Sequence, residues 1–417
     1  MGQIAYPRMR GVDVFPTEIS GQKVICLRDP LNLSGKILFI PIHAYFILSL
    51  FDGRHSVTDV QAEFMRQFGE LIYRDKIEQL VAQLDENFLL ESERFREAER
   101  QLIDSFKASP VRPMALAGES YAQDGEELRK TISSYFDAPD GPDGTAFELE
   151  GTMAGAIAPH IDYGRGGPTY AWAHGALQES CNADLFVILG TSHTPMKKLF
   201  ALTRKGFETP YGVVETDREF VSELEGDDLY EDEWVHKTEH SIELQLVFLR
   251  ALWRKKDPFR IVPILCGSFH EAIANRCSPA DLPGVEAFVQ SLKRAMNRAG
   301  RRVCLIASAD LAHMGLRFGD TEPLTRFSLK NLEEEDLALL ERAGRVDAED
   351  FFRTVSRDGD RRRICGLAPI YILLRLLEGG RGKLLKYSQA FDPSSQSVVS
   401  FAGMAFHFPS AAGPGKI

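Results

Sequence analysis

Residues 184–193 read DLFVILGTSH: an unbroken apolar run, a glycine, and then His193. An apolar run of this length without polar alternation is what a strand buried on both faces requires. The same pattern recurs on either side of it. MAGAIAPH (153–160) ends in His160, VCLIASADLAH (303–313) ends in Asp310 and His313, and RRRICG (361–366) reaches Cys365 less regularly. Side chains just past the carboxyl ends of neighbouring strands in an α/β sheet meet in one crevice, so these four runs place their polar ends together.

Working outward, strand-length runs AGAIA, LFVILG, RIVPILC, VCLIAS and VVSFAGMAF alternate with helical patterns in PTYAWAHGALQES, SIELQLVFLRALWR, GVEAFVQSLKRAMNRAG, EEEDLALLERAG and APIYILLRLLEGG. The alternation predicts an α/β domain over 151–408, with a mostly parallel sheet flanked by helices on both faces. Residues 12–95 read as a separate small domain of winged-helix type. There VICLRD and KILFIP are strands, AYFILSLFDGRHSV is a helix ending at Asp52-Gly53, and SVTDVQAEFMRQFG is a helix with Ser56 as its cap. RDKIEQLVAQLDENFLLES carries Ile77, Leu80, Val81 and Leu84 on one stripe before a Phe88-Leu89-Leu90 wing. Residues 96–150 read as a helical linker, ending in the turn-rich DAPDGPDGT.

At 417 residues the chain suits two or three domains. Apolar content of 44% and charged content of 26% are those of globular chains. A net charge of −11 argues against nucleic acid as a partner, and no apolar stretch reaches the length of a membrane span. The N-terminus lacks the basic start and apolar stretch of a signal peptide. Six scattered cysteines without a CxxC fit reduced thiols in the cytoplasm.

His160 and His193, at the ends of successive strands, form the start of a metal site. Thr191 and Ser192 stand ready to support them by hydrogen bonds. Cys365 precedes a helix beginning near Pro369, and the helix dipole and Arg363 are expected to lower its thiol pKa and ease metal ligation. Two histidines and a thiolate leave open positions on the ion. Asp310 and His313, three apart, suit one face of a helical turn, with His313 as general acid or base and Asp310 fixing its tautomer. Glu239 and His240 open a helix and either cap it or, with Glu243, edge the site. His43, His55, His174, His236, His270 and His407 read as structural.

The blocks APHIDYG, LGTSHT, EHSIELQLVFL, SADLAHMG, RICGLAPI and SSQSVVSFAGMAF, in that order, resemble the Memo family, called the AmmeMemoRadiSam system protein B family in bacteria. That family is similar in fold to class III extradiol dioxygenases, whose non-haem iron is held by two histidines and a carboxylate. The resemblance implies His160, His193 and Cys365 as metal ligands, with thiolate replacing carboxylate, and His313 as the catalytic histidine. It also places Asp310, Glu239 and His240 on the pocket wall. Fe(II) is the implied cofactor, with copper or zinc as alternatives. HIDYG stands where HAGY is usual, so Asp162 adds a carboxylate near the site. The segment 12–95 resembles PqqD-like peptide-recognition domains, implying a radical-SAM protein and a peptide as partners. The expected function is a metal-dependent, dioxygenase-like redox enzyme; a non-catalytic metal- or peptide-binding adaptor and a zinc-dependent hydrolase are the alternatives.

Overall fold

A computed structural model describes residues 4–19, 21–29, 31, 33–42, 44–149, 151–224, 226–253 and 258–408; His43 lies outside them. The chain divides into two units, Met1–Ala108 and Ser109–Ile417.

In the first unit β1 (Asp13–Ile19), β2 (Gln22–Arg28) and β3 (Ile37–Pro41) form an antiparallel meander, followed by α1 (Ala44–Ser49), α2 (Val57–Phe68), α3 (Arg74–Glu86) and α4 (Glu93–Ala108). Ser56 is the cap of α2 as its sequence indicates, exchanging hydrogen bonds with Asp59, and Gly69 closes the helix at φ 70°. Ile77, Val81 and Leu84 of α3 enter a core with Leu27, Ile40 and Val60, while Leu80 packs only at its margin. Leu90 bridges to Met9 rather than to the meander.

The second unit contains β4 (Val111–Arg112), α5 (Gly125–Ser134), β5 (Met153–Ala158), α6 (Tyr163–Ser180), β6 (Leu185–Thr191), β7 (Phe200–Leu202), β8 (Gly206–Phe207), α7 (Arg218–Glu223) and α8 (His240–Leu252). Then follow β9 (Arg260–Cys266), α9 (His270–Asn275), α10 (Val285–Arg298), β10 (Val303–Ser308), β11 (Asp310–Gly315), α11 (Arg326–Gly344), α12 (Ala348–Ser356), α13 (Leu367–Leu376), β12 (Arg381–Asp392) and β13 (Ser397–His407). The large sheet runs β11-β13-β5-β10-β6-β9-β7, with β12 paired to β13.

Only the central strands β5, β10, β6 and β9 are parallel; β13, β11, β12 and β7 pair antiparallel. The sheet is therefore mixed, with a parallel centre. Leu185, Val187 and Leu189 of β6 face a core built with α10 to α13, while Phe186 and Ile188 face one built with α6 and α8. Helices thus cover both faces, which is why these strands read as continuous apolar runs.

Asp310 to His313, expected on a helical turn beyond a strand, lie in strand β11 instead. β11 pairs with β13 through a register shift between Asp310 and His313, and such a bulge re-aims side chains that a regular strand would send to opposite faces. The turn-rich segment around 137–145 is held to the second unit, where the carbonyl of Asp140 accepts from Trp172 Nε1 (2.9 Å) and its carboxylate meets Lys386 (2.7 Å).

The segment 111–121 is tied to α8 by a fully buried ion pair between Arg112 and Glu243. Arg112 also donates to the carbonyls of His236 (2.9 Å) and Glu239 (2.9 Å). Glu243 accepts from the Leu116 amide (2.9 Å) and the Tyr121 hydroxyl (2.5 Å). Removing one member of such a pair strands the other charge. Arg112→Met is expected to cost about 3–5 kcal/mol in equilibrium denaturant unfolding. Arg345→Met, which breaks an exposed pair with Glu341, should leave the midpoint within error.

Candidate metal centre

Three adjacent central strands each deliver a polar side chain two residues past their last residue: His160 after β5, His193 after β6 and Asp310 after β10. The amino terminus of α8 closes on the same place. Gly190 permits that approach, since a Cβ there would stand 2.6 Å from Ser241 Oγ. Glu239 caps α8, accepting from the amides of His240 (2.9 Å) and Ser241 (3.1 Å), and its other oxygen accepts from the His193 amide (2.7 Å). Its Oε1 also lies 3.1 Å from Nδ1 of both His193 and His240.

A carboxylate only accepts, so both imidazoles carry a proton on Nδ1 and leave Nε2 as the nitrogen not held by Glu239; burial acts to lower His193, but the bond and charge of Glu239 outweigh it and raise its pKa. His160 obeys the same logic, with Nδ1 3.0 Å from the Ser308 carbonyl. His313 does so as well, with Nδ1 3.2 Å from the carbonyls of Leu311 and Arg363. The rings of His193 and His240 stack at 4.6 Å, and His160 stands perpendicular to both at 5.0 and 5.4 Å. One nitrogen from each of these three rings lies within 4.8 Å of the others, the one such group of potential ligands among the described residues.

Charge states follow from burial and partners. Burial, reinforced by the imidazoles of His193 and His240, holds His160 well below the ordinary histidine range and keeps it neutral. Burial would push Glu239 up, but hydrogen bonds from His193 and His240 outweigh it and hold the carboxylate well below its usual range. Burial lowers His313, with Asp310 acting against it, and burial raises Asp310.

Several sequence expectations change in detail. Cys365 Sγ lies 3.2 Å from His160 Nε2, so the thiol is at the centre, but burial and then Asp310 push its pKa well above the ordinary value. The expected lowering fails because Arg363 turns away to Asp320 at 2.6 Å. The helix begins at Leu367 rather than near Pro369. Gly366 is needed here, for a Cβ would meet the Asp310 carbonyl at 2.5 Å. Asp310 accepts from the His160 amide (2.9 Å) with its other oxygen 3.7 Å from His160 Nε2, whereas the His313 tautomer is set by the two carbonyls. Glu243 turns to Arg112. Asp162 caps α6 and pairs with Arg165 at 2.5 Å, and the Ser192 hydroxyl donates to the Thr194 carbonyl. Thr191 does support the site, its hydroxyl 3.3 Å from the same Ser308 carbonyl that holds His160.

Gln245 and Ser308 carry no mark in the sequence, and His174 reads there as structural. Gln245 Nε2 donates to the Pro159 carbonyl (2.6 Å) and to Ser308 Oγ (2.8 Å), and Ser308 Oγ donates to the Ser241 carbonyl (2.6 Å). His174 Nε2 stands 2.9 Å from Gln245 Oε1. This buried network ties α8 to the ends of β5 and β10.

The strand-end crevice of this α/β protein gathers imidazoles, a thiol and buried carboxyls, a donor set that could hold a metal ion. The Memo-like protein profile matches residues 112–405, and the chain belongs to this family. It is 28% identical over 407 residues to a MEMO1 family protein of Aquifex aeolicus, covering 96% of this chain and all of that protein. It is 32% identical to one of Ignicoccus hospitalis (72% of this chain, 99% of the other) and 30% identical to one of Methanopyrus kandleri (71% and 98%). The Aquifex likeness extends through the first unit, while the family profile is confined to the second.

Glu239→Gln replaces one of two charged acceptors by a donor facing the His193 amide. Loss of such a ligand-orienting group is expected to weaken binding of Co(II) or Zn(II) about 10–100-fold in competition titrations, with the fold retained by circular dichroism. Burial holds His174 and His236 each at about 4. Both are depressed from about 6.5, so the unfolded chain binds more protons between these values and stability falls as pH drops through that window. The two together should remove about 3 kcal/mol between pH 6.5 and 5 in denaturant unfolding; a flat profile would contradict their buried, neutral state.

Proposed function

We propose that this chain is a metal-dependent oxidoreductase of dioxygenase-like type, with His160, His193 and Cys365 holding Fe(II) or copper. The observation that carries this reading is the Cys365 thiol 3.2 Å from His160 Nε2, the nitrogen left as an acceptor because Nδ1 faces the Ser308 carbonyl. An ion bound at about 2.0–2.1 Å from nitrogen and about 2.3 Å from sulfur separates the two by roughly 3.2–3.5 Å, so this pair of donors fits one. A redox ion supplies the exchange of electrons with substrate or oxygen.

The protein's own groups do the rest. The Ser308 carbonyl and Glu239 hold the ligand rings with Nε2 unprotonated. His313, neutral and with Nε2 free, takes or returns a proton, and His240 offers a second imidazole nitrogen beside His193. Phe318, edge-on to His313 at 5.2 Å, packs with Ile161, Val399 and Phe401 into an apolar wall that keeps water from the proton-handling side. A radical-SAM protein as partner, a peptide held by the winged-helix-like first unit, and a cytoplasmic setting complete the proposal; the six free cysteines suit that setting.

The grouping of His160, His193 and His240 favours a second reading, zinc-dependent hydrolysis, because three imidazoles are a common catalytic zinc donor set. Elemental analysis of anaerobically purified protein decides between them. Near-stoichiometric iron or copper, with oxygen uptake lost in His313→Ala while metal is retained, is the expected result. Zinc alone would favour the hydrolase, and turnover unaffected by His313→Ala would overturn the assigned role.

A further inference from the structure

Away from the histidine cluster, the second unit has a cleft of about 760 Å³ between α9 and α12, within the size range that encloses a whole small ligand. Arg276, Arg353 and Arg357 line it, all exposed. Among the described residues none of the three has a carboxylate within ion-pairing distance. The arginines nearby behave differently: Arg342, Arg361, Arg362, Arg363 and Arg375 each meet an acid. Three unpaired guanidiniums around one cavity, in a chain of net charge −11, are a local reversal of the molecule's charge.

Helix ends account for part of this. Arg276 closes α9 and Arg357 follows α12, and the two carboxyl ends contribute about half a negative charge each. Glu349, the cleft's acid, is already engaged by the hydroxyls of Tyr371 (2.5 Å) and Ser278 (2.9 Å). Net positive charge therefore remains, and apart from a long contact of Arg353 Nε with the Glu349 carbonyl (3.4 Å) the planar donor forks are unspent. Guanidinium forks match phosphate oxygens in pairs, and three of them exceed what a single monoanion needs. Ile273 and Phe352 supply an apolar side to the same cavity.

We propose that this cleft binds a phosphorylated organic anion of nucleotide size, its phosphates on Arg276, Arg353 and Arg357 and its apolar part against Ile273 and Phe352. The site is separate from the histidine cluster and does not depend on a metal.

The test is calorimetric titration of the full chain with ADP, AMP and tripolyphosphate at low and high salt. Saturable ADP binding is expected, tighter than AMP and weakened by salt. It should fall at least about tenfold in Arg353→Ala/Arg357→Ala, since each lost charge-assisted contact is worth about that factor. Both residues are exposed, so unchanged melting will show that the double variant folds. His160→Ala/His193→Ala should bind ADP as wild type does. Absence of saturable binding, affinity unchanged in the arginine variant, or binding lost in the histidine variant would each overturn the assignment.

Discussion

One buried carboxylate organises this molecule's candidate centre. Glu239 caps α8, holds the amide of His193 and accepts from Nδ1 of both His193 and His240. Burying a carboxylate is costly unless its lone pairs are filled, and here five N–H donors fill them. The same bonds that stabilise the charge fix the two rings, so the cost of the buried anion is offset by contacts that also orient the ligands. A helix start, a loop after a strand and two imidazoles are thereby made one rigid object.

Around it the structure repeats this economy at lower levels. One turn along α8, Glu243 and Arg112 lock the segment that begins where the family profile begins. Gln245 then joins α8 to the strand ends that carry His160 and Asp310. A single helix face thus contacts each strand that contributes to the centre. On that face Ser241, Glu243 and Gln245 are each partnered, which favours rigidity, while Nδ1 of His174 at the network's far end has no partner among the described residues.

The central strands and the residues at their ends were legible because burial on both faces demands continuous apolar runs, which end where polar groups are needed. Of the antiparallel strands only β13 was read, in VVSFAGMAF, and its direction was not, since register and direction leave no mark on composition. The β11 bulge could not be read from a three-residue spacing that fits a helical turn equally well. Arg112 and Gln245 were silent because their partners lie 131 and 86 residues away in sequence. The Cys365 thiol was misjudged for a related reason. Arg363 is two residues away in sequence but spends its charge on Asp320, 43 residues distant from it.

The most direct test is X-ray absorption at the edge of whichever metal the protein binds, comparing wild type with Cys365→Ser. The account predicts imidazole scattering together with one sulfur at about 2.3 Å that disappears in the variant while the imidazole signal persists. A wild-type spectrum with nitrogen and oxygen neighbours alone would contradict the thiolate centre and leave His160, His193 and His240 as the ligand set.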